Sequence, residues 1–102
     1  MTHKVTLSPE AIGDFQALYD YLSPLAGERT AAAYVGKLYA YCMDLRTFPQ
    51  RGMRRDDLRP GLRIVGYRRK ASIAFRVDGD VVTIVRVFHG GQDIAFEDDV
   101  QN

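Results

Sequence analysis

Apolar residues recur along this chain with two different periods, and the change between them falls near the middle. Val5 and Leu7 alternate with polar neighbours in Lys4-Val5-Thr6-Leu7, the period of a short strand. Ser8-Pro9-Glu10 then marks a helix start. The serine oxygen accepts from a free backbone N–H, and proline at the first helical position gives up no hydrogen bond. Ile12, Phe15, Leu18, Tyr19, Leu22 and Leu25 share one face of this helix, which Ser23-Pro24 and Gly27 break. A second helix is predicted over residues 28–47, with Tyr34, Val35, Leu38, Tyr41, Cys42 and Leu45 at three- and four-residue spacing. Residues 30–33 favour helix and leave room for close approach, and Phe48-Pro49 stops the run. Two amphipathic helices joined by a short break form an antiparallel hairpin. At helical spacing, Tyr19, Tyr21, Tyr34, Tyr39 and Tyr41 read as core and rim residues rather than a stacking platform.

Beyond the helices the pattern shortens. Residues 50–61 read as a polar, basic loop ending in the turn signal Arg59-Pro60-Gly61. Three strands follow, over 62–67, 72–77 and 81–88, with Asp78-Gly79 turning the last pair. The third is the most apolar run in the chain, so it belongs in the middle of a sheet, covered on both faces. The fold class is therefore α+β, in the order β-α-α-β-β-β, with a helical hairpin packed on one face of an antiparallel sheet.

At 102 residues the chain is one domain with a single core, and its apolar (46%) and charged (26%) fractions are those of a globular protein. Residues 93–102, which include Glu97-Asp98-Asp99, read as a loosely ordered acidic tail. Cys42 is the only cysteine, so no internal disulfide or cysteine-based metal site is possible. Its apolar neighbours make it a packing residue. No cofactor is called for. No apolar run approaches the roughly 20 residues that span a bilayer, and no signal-peptide core follows Met1. The expected compartment is the cytoplasm, with no membrane partner.

Charge changes the picture more. The chain is nearly neutral, yet residues 46–76 hold ten of its fourteen basic residues against two acids, Asp56 and Asp57. Like charges repel, so either an anionic partner, nucleic acid or an acidic peptide, favours this grouping, or the arginines are a solvated run of loop and strand-edge residues. Arg54, Arg55, Arg59, Arg63, Arg68, Arg69, Arg76 and Arg86 are the candidates to meet such a partner. They lie in loop and strands rather than on one helix, which argues against direct, sequence-specific nucleic-acid binding. Arg86 interrupts the most apolar strand, where an unpaired guanidinium is costly. A β-bulge would turn Val81, Val85 and Val87 toward the helices and put Arg86 on the open face with Arg76 and Arg63. The other arrangement is an internal ion pair from Arg86 to Asp14 or Asp93. His89, at the mouth of that strand, is either a general acid or base or a structural donor. His3 lies too far off in sequence to form a metal pair with it.

These pieces resemble the ParE branch of the ParE/RelE toxin superfamily of bacterial type II toxin–antitoxin modules. The matching residues are Ser8-Pro9-Glu10-Ala11, Phe48-Pro49 with Gly52, Asp57-Leu58-Arg59-Pro60-Gly61-Leu62-Arg63, Tyr67-Arg68, Ile73-Ala74-Phe75-Arg76-Val77, and Val85-Arg86-Val87-Phe88-His89-Gly90-Gly91-Gln92-Asp93. The resemblance implies two helices against an antiparallel sheet and a growth-arresting toxin that inhibits DNA gyrase without being an enzyme. It also implies a ParD-like antitoxin whose disordered, acidic half folds over the toxin. The rival branch, RelE-like ribosome-dependent ribonucleases, would use Arg63 and Arg86 on the phosphate and His89 for proton transfer. The chain lacks that branch's lysine cluster and C-terminal tyrosine: Lys70 is its last lysine and Tyr67 its last tyrosine.

Overall fold

The computed structural model describes residues 3–90. The elements are β1 (Lys4–Leu7), α1 (Pro9–Ala26), α2 (Glu28–Met43), β2 (Met53–Arg54), β3 (Leu62–Tyr67), β4 (Ala71–Asp78) and β5 (Val81–His89). They form a helical hairpin on one face of a five-stranded sheet of order β1-β5-β4-β3-β2. Strands β3 to β5 are antiparallel, as expected, and β2 adds to β3 in the same sense. The sheet as a whole is mixed, because β1 joins β5 in parallel, Lys4 beside Val81 through Leu7 beside Ile84. The two-residue β2 lies inside the stretch read as loop. Its outward residues carry no apolar alternation, and only its pairing with Ile64 and Arg63 makes it a strand.

Ser8 starts α1 in the expected way, its Oγ accepting from the Ala11 N–H at 3.0 Å. The same hydroxyl donates to the Val85 carbonyl at 2.7 Å, which pins the helix start to β5. Helix α1 runs through Ser23-Pro24 and ends at Gly27 (φ 95°). A proline in the last turn forfeits a single backbone bond, too little to stop a helix two residues short of its end. Helix α2 follows at once and tightens into a 3-10 turn at Asp44–Arg46.

The main core lies between hairpin and sheet. Leu38, Cys42, Leu45, Ile73, Phe75, Val82 and Ile84 are fully buried in it. Helix α1 contributes Ala11, Phe15 and Leu18, spaced by four and three residues. Ile12 and Leu25, expected on that face, are 58% and 69% exposed. Ile12 follows Ala11 by one residue and so points about 100° away from it around the helix.

The strand β5 is buried on its helix side, whereas on the other face only Phe88 is buried and Val81, Thr83, Val85 and Arg86 are half-buried, so the expected cover on both faces is incomplete. Val82, Ile84 and Val87 meet the helices, while Val85 and Phe88 join a small second cluster with Leu62, Ala74, Ile64 and Leu58. A bulge makes this possible. Phe75 pairs with Ile84 but Ala74 pairs with Arg86, so Val85 is the extra residue. The inward positions are therefore even-numbered before the bulge and odd-numbered after it. The predicted inward set of Val81, Val85 and Val87 is corrected in its first two members. The hairpin turn is Gly79-Asp80, one residue later than expected, with Asp78 opposite Val81.

Candidate functional site

The basic residues of 46–76 do not assemble into one open face. In the loop between β2 and β3, Arg55 forks onto Asp57, with Nε and Nη2 each 2.8 Å from a carboxylate oxygen. Arg54 meets Asp56 at 3.2 Å, and Asp56 also accepts the Gly61 N–H at 2.8 Å. The Gly61 bond first, then Arg54, holds the Asp56 carboxyl below the usual carboxylate range; Arg55 does the same for Asp57. These pairs are exposed and contribute little stability, but they neutralise the loop. Arg59 sits half-buried in the same loop, its N–H on the Arg55 carbonyl at 3.2 Å.

Arg76 does lie on the sheet face away from the helices, with Asp78 at 3.0 Å. Arg63 does not share that face. It pairs with Phe75 and so falls on the helix side, where Nη2 donates to Gln50 Oε1 at 2.7 Å. Arg86 pairs with Ala74, which is the expected face, but its side chain turns to Asp14 on α1. Nε and Nη2 reach the Asp14 oxygens at 2.7 and 3.0 Å, and the Val87 N–H donates to the same carboxylate at 2.8 Å. The internal pair to Asp14 is thus the arrangement adopted; Asp93 and the tail 93–102 lie outside the described residues. Arg68 and Arg69 sit apart from all of these, with Lys70, at the turn joining β3 to β4.

The reason for the Asp14 contact is a mismatch in strand length. β1 covers β5 only as far as Ile84, so the β5 edge beyond it needs other partners. Ser8 takes the Val85 carbonyl and Asp14 the Val87 N–H. Past them a cleft of about 490 Å³ opens between α1 and β5, lined by Asp14, Tyr21, Val87 and His89 among others. A four-residue strand against the longer apolar run over 81–88 was visible in the sequence, but the cleft that the difference leaves was not.

His89 lies between two tyrosines, with ring centroids 5.7 Å from Tyr34 and 6.4 Å from Tyr21. Burial first, then the Lys70 ammonium, pushes its pKa down. Burial and the Tyr67 phenol push the Tyr34 hydroxyl up, against the pull of Arg68. A histidine with a lowered pKa binds fewer protons folded than unfolded. Stability is therefore expected to fall as pH drops below about 6.5 toward the folded-state value. Urea melts of the parent chain and of His89→Phe, which keeps the ring contacts, should diverge in that window, the variant losing less. Parallel curves would remove His89 from the account.

The three residues of the nuclease alternative are not brought together. Arg63 is in register with Phe75 and His89 with Ala71. Four residues of β4 separate those rows, about 13 Å along the strand. Arg86 lies on the other face, in register with Ala74, and is engaged with Asp14. Among the described residues no three His, Cys, Asp or Glu side chains gather as metal ligands, and no helix is long and apolar enough to cross a membrane. The Cys42 thiol is buried in the core, and burial pushes it up to about 12, so it carries no thiolate near neutral pH.

A helical hairpin on a mixed five-stranded sheet is a fold this chain shares with solved toxin–antitoxin systems. The solved chromosomal ParDE system from P. aeruginosa superposes with a TM-score of 0.76 at 26% identity, over 87% of this chain and 97% of that one. The toxin–antitoxin complex RelBE2 from Mycobacterium tuberculosis shares the fold at a TM-score of 0.61 and 21% identity, over 87% and 99%. Toxin ParE3 of Caulobacter vibrioides is 29% identical over 83 residues, 81% of this chain and 82% of that toxin. Residues 5–94 match the family described as the ParE toxin of type II toxin-antitoxin system, parDE, and the chain belongs to it.

Proposed function

We propose that this ParE-type toxin arrests growth by binding DNA gyrase and blocking its turnover, and that a ParD-like antitoxin neutralises it. One observation carries the reading: within a ParE family chain, Arg63 and His89 lie four residue rows apart along β4, and Arg86, on the other face, is tied to Asp14. General acid–base chemistry on a phosphodiester needs those groups around one reacting atom. A protein that acts by occupying a surface needs no such convergence. The antitoxin half of the proposal draws on the paired systems among the relatives, ParDE and RelBE2. A disordered acidic segment that folds on binding gains charge-assisted bonds that offset part of its ordering entropy.

Purified toxin should inhibit supercoiling by gyrase in vitro, and equimolar antitoxin should restore it. Translating ribosomes given the same toxin should keep their mRNA intact. Normal supercoiling at a large excess of folded toxin overturns the target assignment. Cut mRNA that disappears with His89→Ala would replace it with the nuclease reading.

A further inference from the structure

Arg68 and Arg69 are the two residues other than glycine that hold a positive φ among the described residues, at 51° and 59°. They form the turn between β3 and β4, which the Lys70 N–H closes by donating to the Tyr67 carbonyl at 2.9 Å. A left-handed backbone strains any residue with a Cβ, so turns that need it twice in succession usually carry Asn-Gly or Asp-Gly. This chain places a guanidinium at both positions and an ammonium directly after them. Strain kept at an exposed turn marks a side chain that is wanted there.

The tip differs from five of the other arginines in its pairing, and it is the place where three such cations stand in a row. Arg51, Arg54, Arg55, Arg76 and Arg86 each have a carboxylate partner. Arg68, Arg69 and Lys70 are exposed, and among the described residues none of them has one. The guanidinium carbon of Arg68 lies 5.3 Å from the centre of the Tyr67 ring, a stacking contact that steadies it and leaves its in-plane N–H groups for another acceptor. The shape narrows the choice of acceptor. A protein partner is gripped by apolar or aromatic anchors, and none of the exposed large apolar residues (Ile12, Tyr21, Leu25, Tyr39, Phe48, Met53) belongs to this turn. A convex hairpin end with three adjacent cations suits a regular row of solvent-exposed single charges.

We infer that the Arg68-Arg69-Lys70 tip is a sequence-independent contact for the phosphodiester backbone of a nucleic-acid duplex. The contact goes beyond the target assignment and does not depend on it, since it requires only phosphates at the spacing of a duplex. It also leaves base sequence unread, in keeping with the scattered placement of the other arginines.

The test is fluorescence anisotropy of the purified full chain with labelled DNA and RNA duplexes of arbitrary sequence, over a series of KCl concentrations. Affinity should fall with salt at a log–log slope of about −2 to −3, the value for two or three phosphates. Arg68→Asn with Arg69→Gly should flatten that slope by about 2 while raising the melting temperature, because the new pair suits the turn. Lys70→Gln should flatten it by about 1. Arg54→Gln with Arg55→Gln should leave it unchanged. The DNA and RNA arms tell which duplex is preferred, and tip-dependent binding to either supports the inference. It is overturned if the parent chain binds neither at the lowest salt, if the slope survives loss of the tip, or if only an acidic polypeptide such as polyglutamate is bound.

Discussion

Asp14→Ala is expected to lower the melting temperature by about 10–15 °C, one of the two largest single-residue effects outside the apolar core. Asp14 accepts three bonds from β5, two from the Arg86 guanidinium and one from the Val87 N–H. Removing one partner of a buried pair costs about 3–5 kcal/mol, because the other charge is left desolvated. Here the side chains are 25% and 17% exposed, so water recovers part of that and about 2–3 kcal/mol remains. For a domain of this length each kcal/mol moves the midpoint by about 4–8 °C. The sign of a second comparison is more telling than the first. Arg86→Ala leaves Asp14 with its Val87 bond and is expected to cost less than Asp14→Ala, which strands a cation and a backbone donor together. The double variant should recover part of the loss. Equal effects from the two single variants, with no coupling between them, would show that the carboxylate does not hold the strand edge.

That contact also shows where the sequence was legible and where it stopped. Helix positions followed from Ser8-Pro9 and from the spacing of Phe15, Leu18, Leu38 and Cys42, because periodicity and capping are local properties. The bulge in β5 was legible too, since Arg86 in an apolar strand demands a change of face. Which residue bulged was not legible: the answer depends on the turn at Gly79-Asp80, one position from the expected one, and on packing against β4. The choice between Asp14 and Asp93 for Arg86 needed tertiary placement of α1. The parallel entry of β1 is equally non-local. Nothing in Lys4-Val5-Thr6-Leu7 specifies the neighbour it will pair with.

The charge cluster was misread for a physical reason that the sequence did contain. Counting within 46–76 left Asp44 and Asp78 just outside the window, and these pair with Arg51 and Arg76. Arg54 with Asp56, Arg55 with Asp57, and Arg76 with Asp78 share one spacing, i and i+2. In extended chain that spacing puts both side chains on one side, so each arginine has a local carboxylate before any fold forms. Setting these aside in the sequence leaves Arg63 and Arg68-Arg69-Lys70 with no acid within five residues on either side, and only the latter are three cations in a row. Net charge over a window reports an average field. Recognition depends on which cations keep their donors free.

Gly52→Ala is the second large effect expected, with a cost of about 2–4 kcal/mol, and its consequence is local as well as global. Gly52 has a φ of 81°, where a Cβ costs about 1–2 kcal/mol in backbone strain alone. The site is also crowded by backbone rather than by a movable side chain. A Cβ there would run into the Ile64 carbonyl oxygen and lie 2.9 Å from its carbon and 3.0 Å from the Val65 Cβ. Overpacking of this kind adds about 1–3 kcal/mol, since β3 cannot retreat without losing its pairing to β4. The chain has one cheaper response, which is to release β2. β2 is two residues long, so it is the least secured strand of the sheet. The Arg55 N–H, bonded to the Leu62 carbonyl at 2.8 Å, reports on this edge. Hydrogen exchange on the variant should therefore show lost protection at Arg55, with amides of β4 and β5 affected only through the lower global stability. If β2 is released, the paired Arg54 and Arg55 leave the sheet edge while the Arg68-Arg69-Lys70 tip stays in place. Toxicity that survives Gly52→Ala in cells, with Arg55 deprotected, would assign the working surface to the tip and the α1–β5 cleft. A variant with unchanged melting and an unchanged Arg55 amide would show that the chain does not pass this close to Ile64.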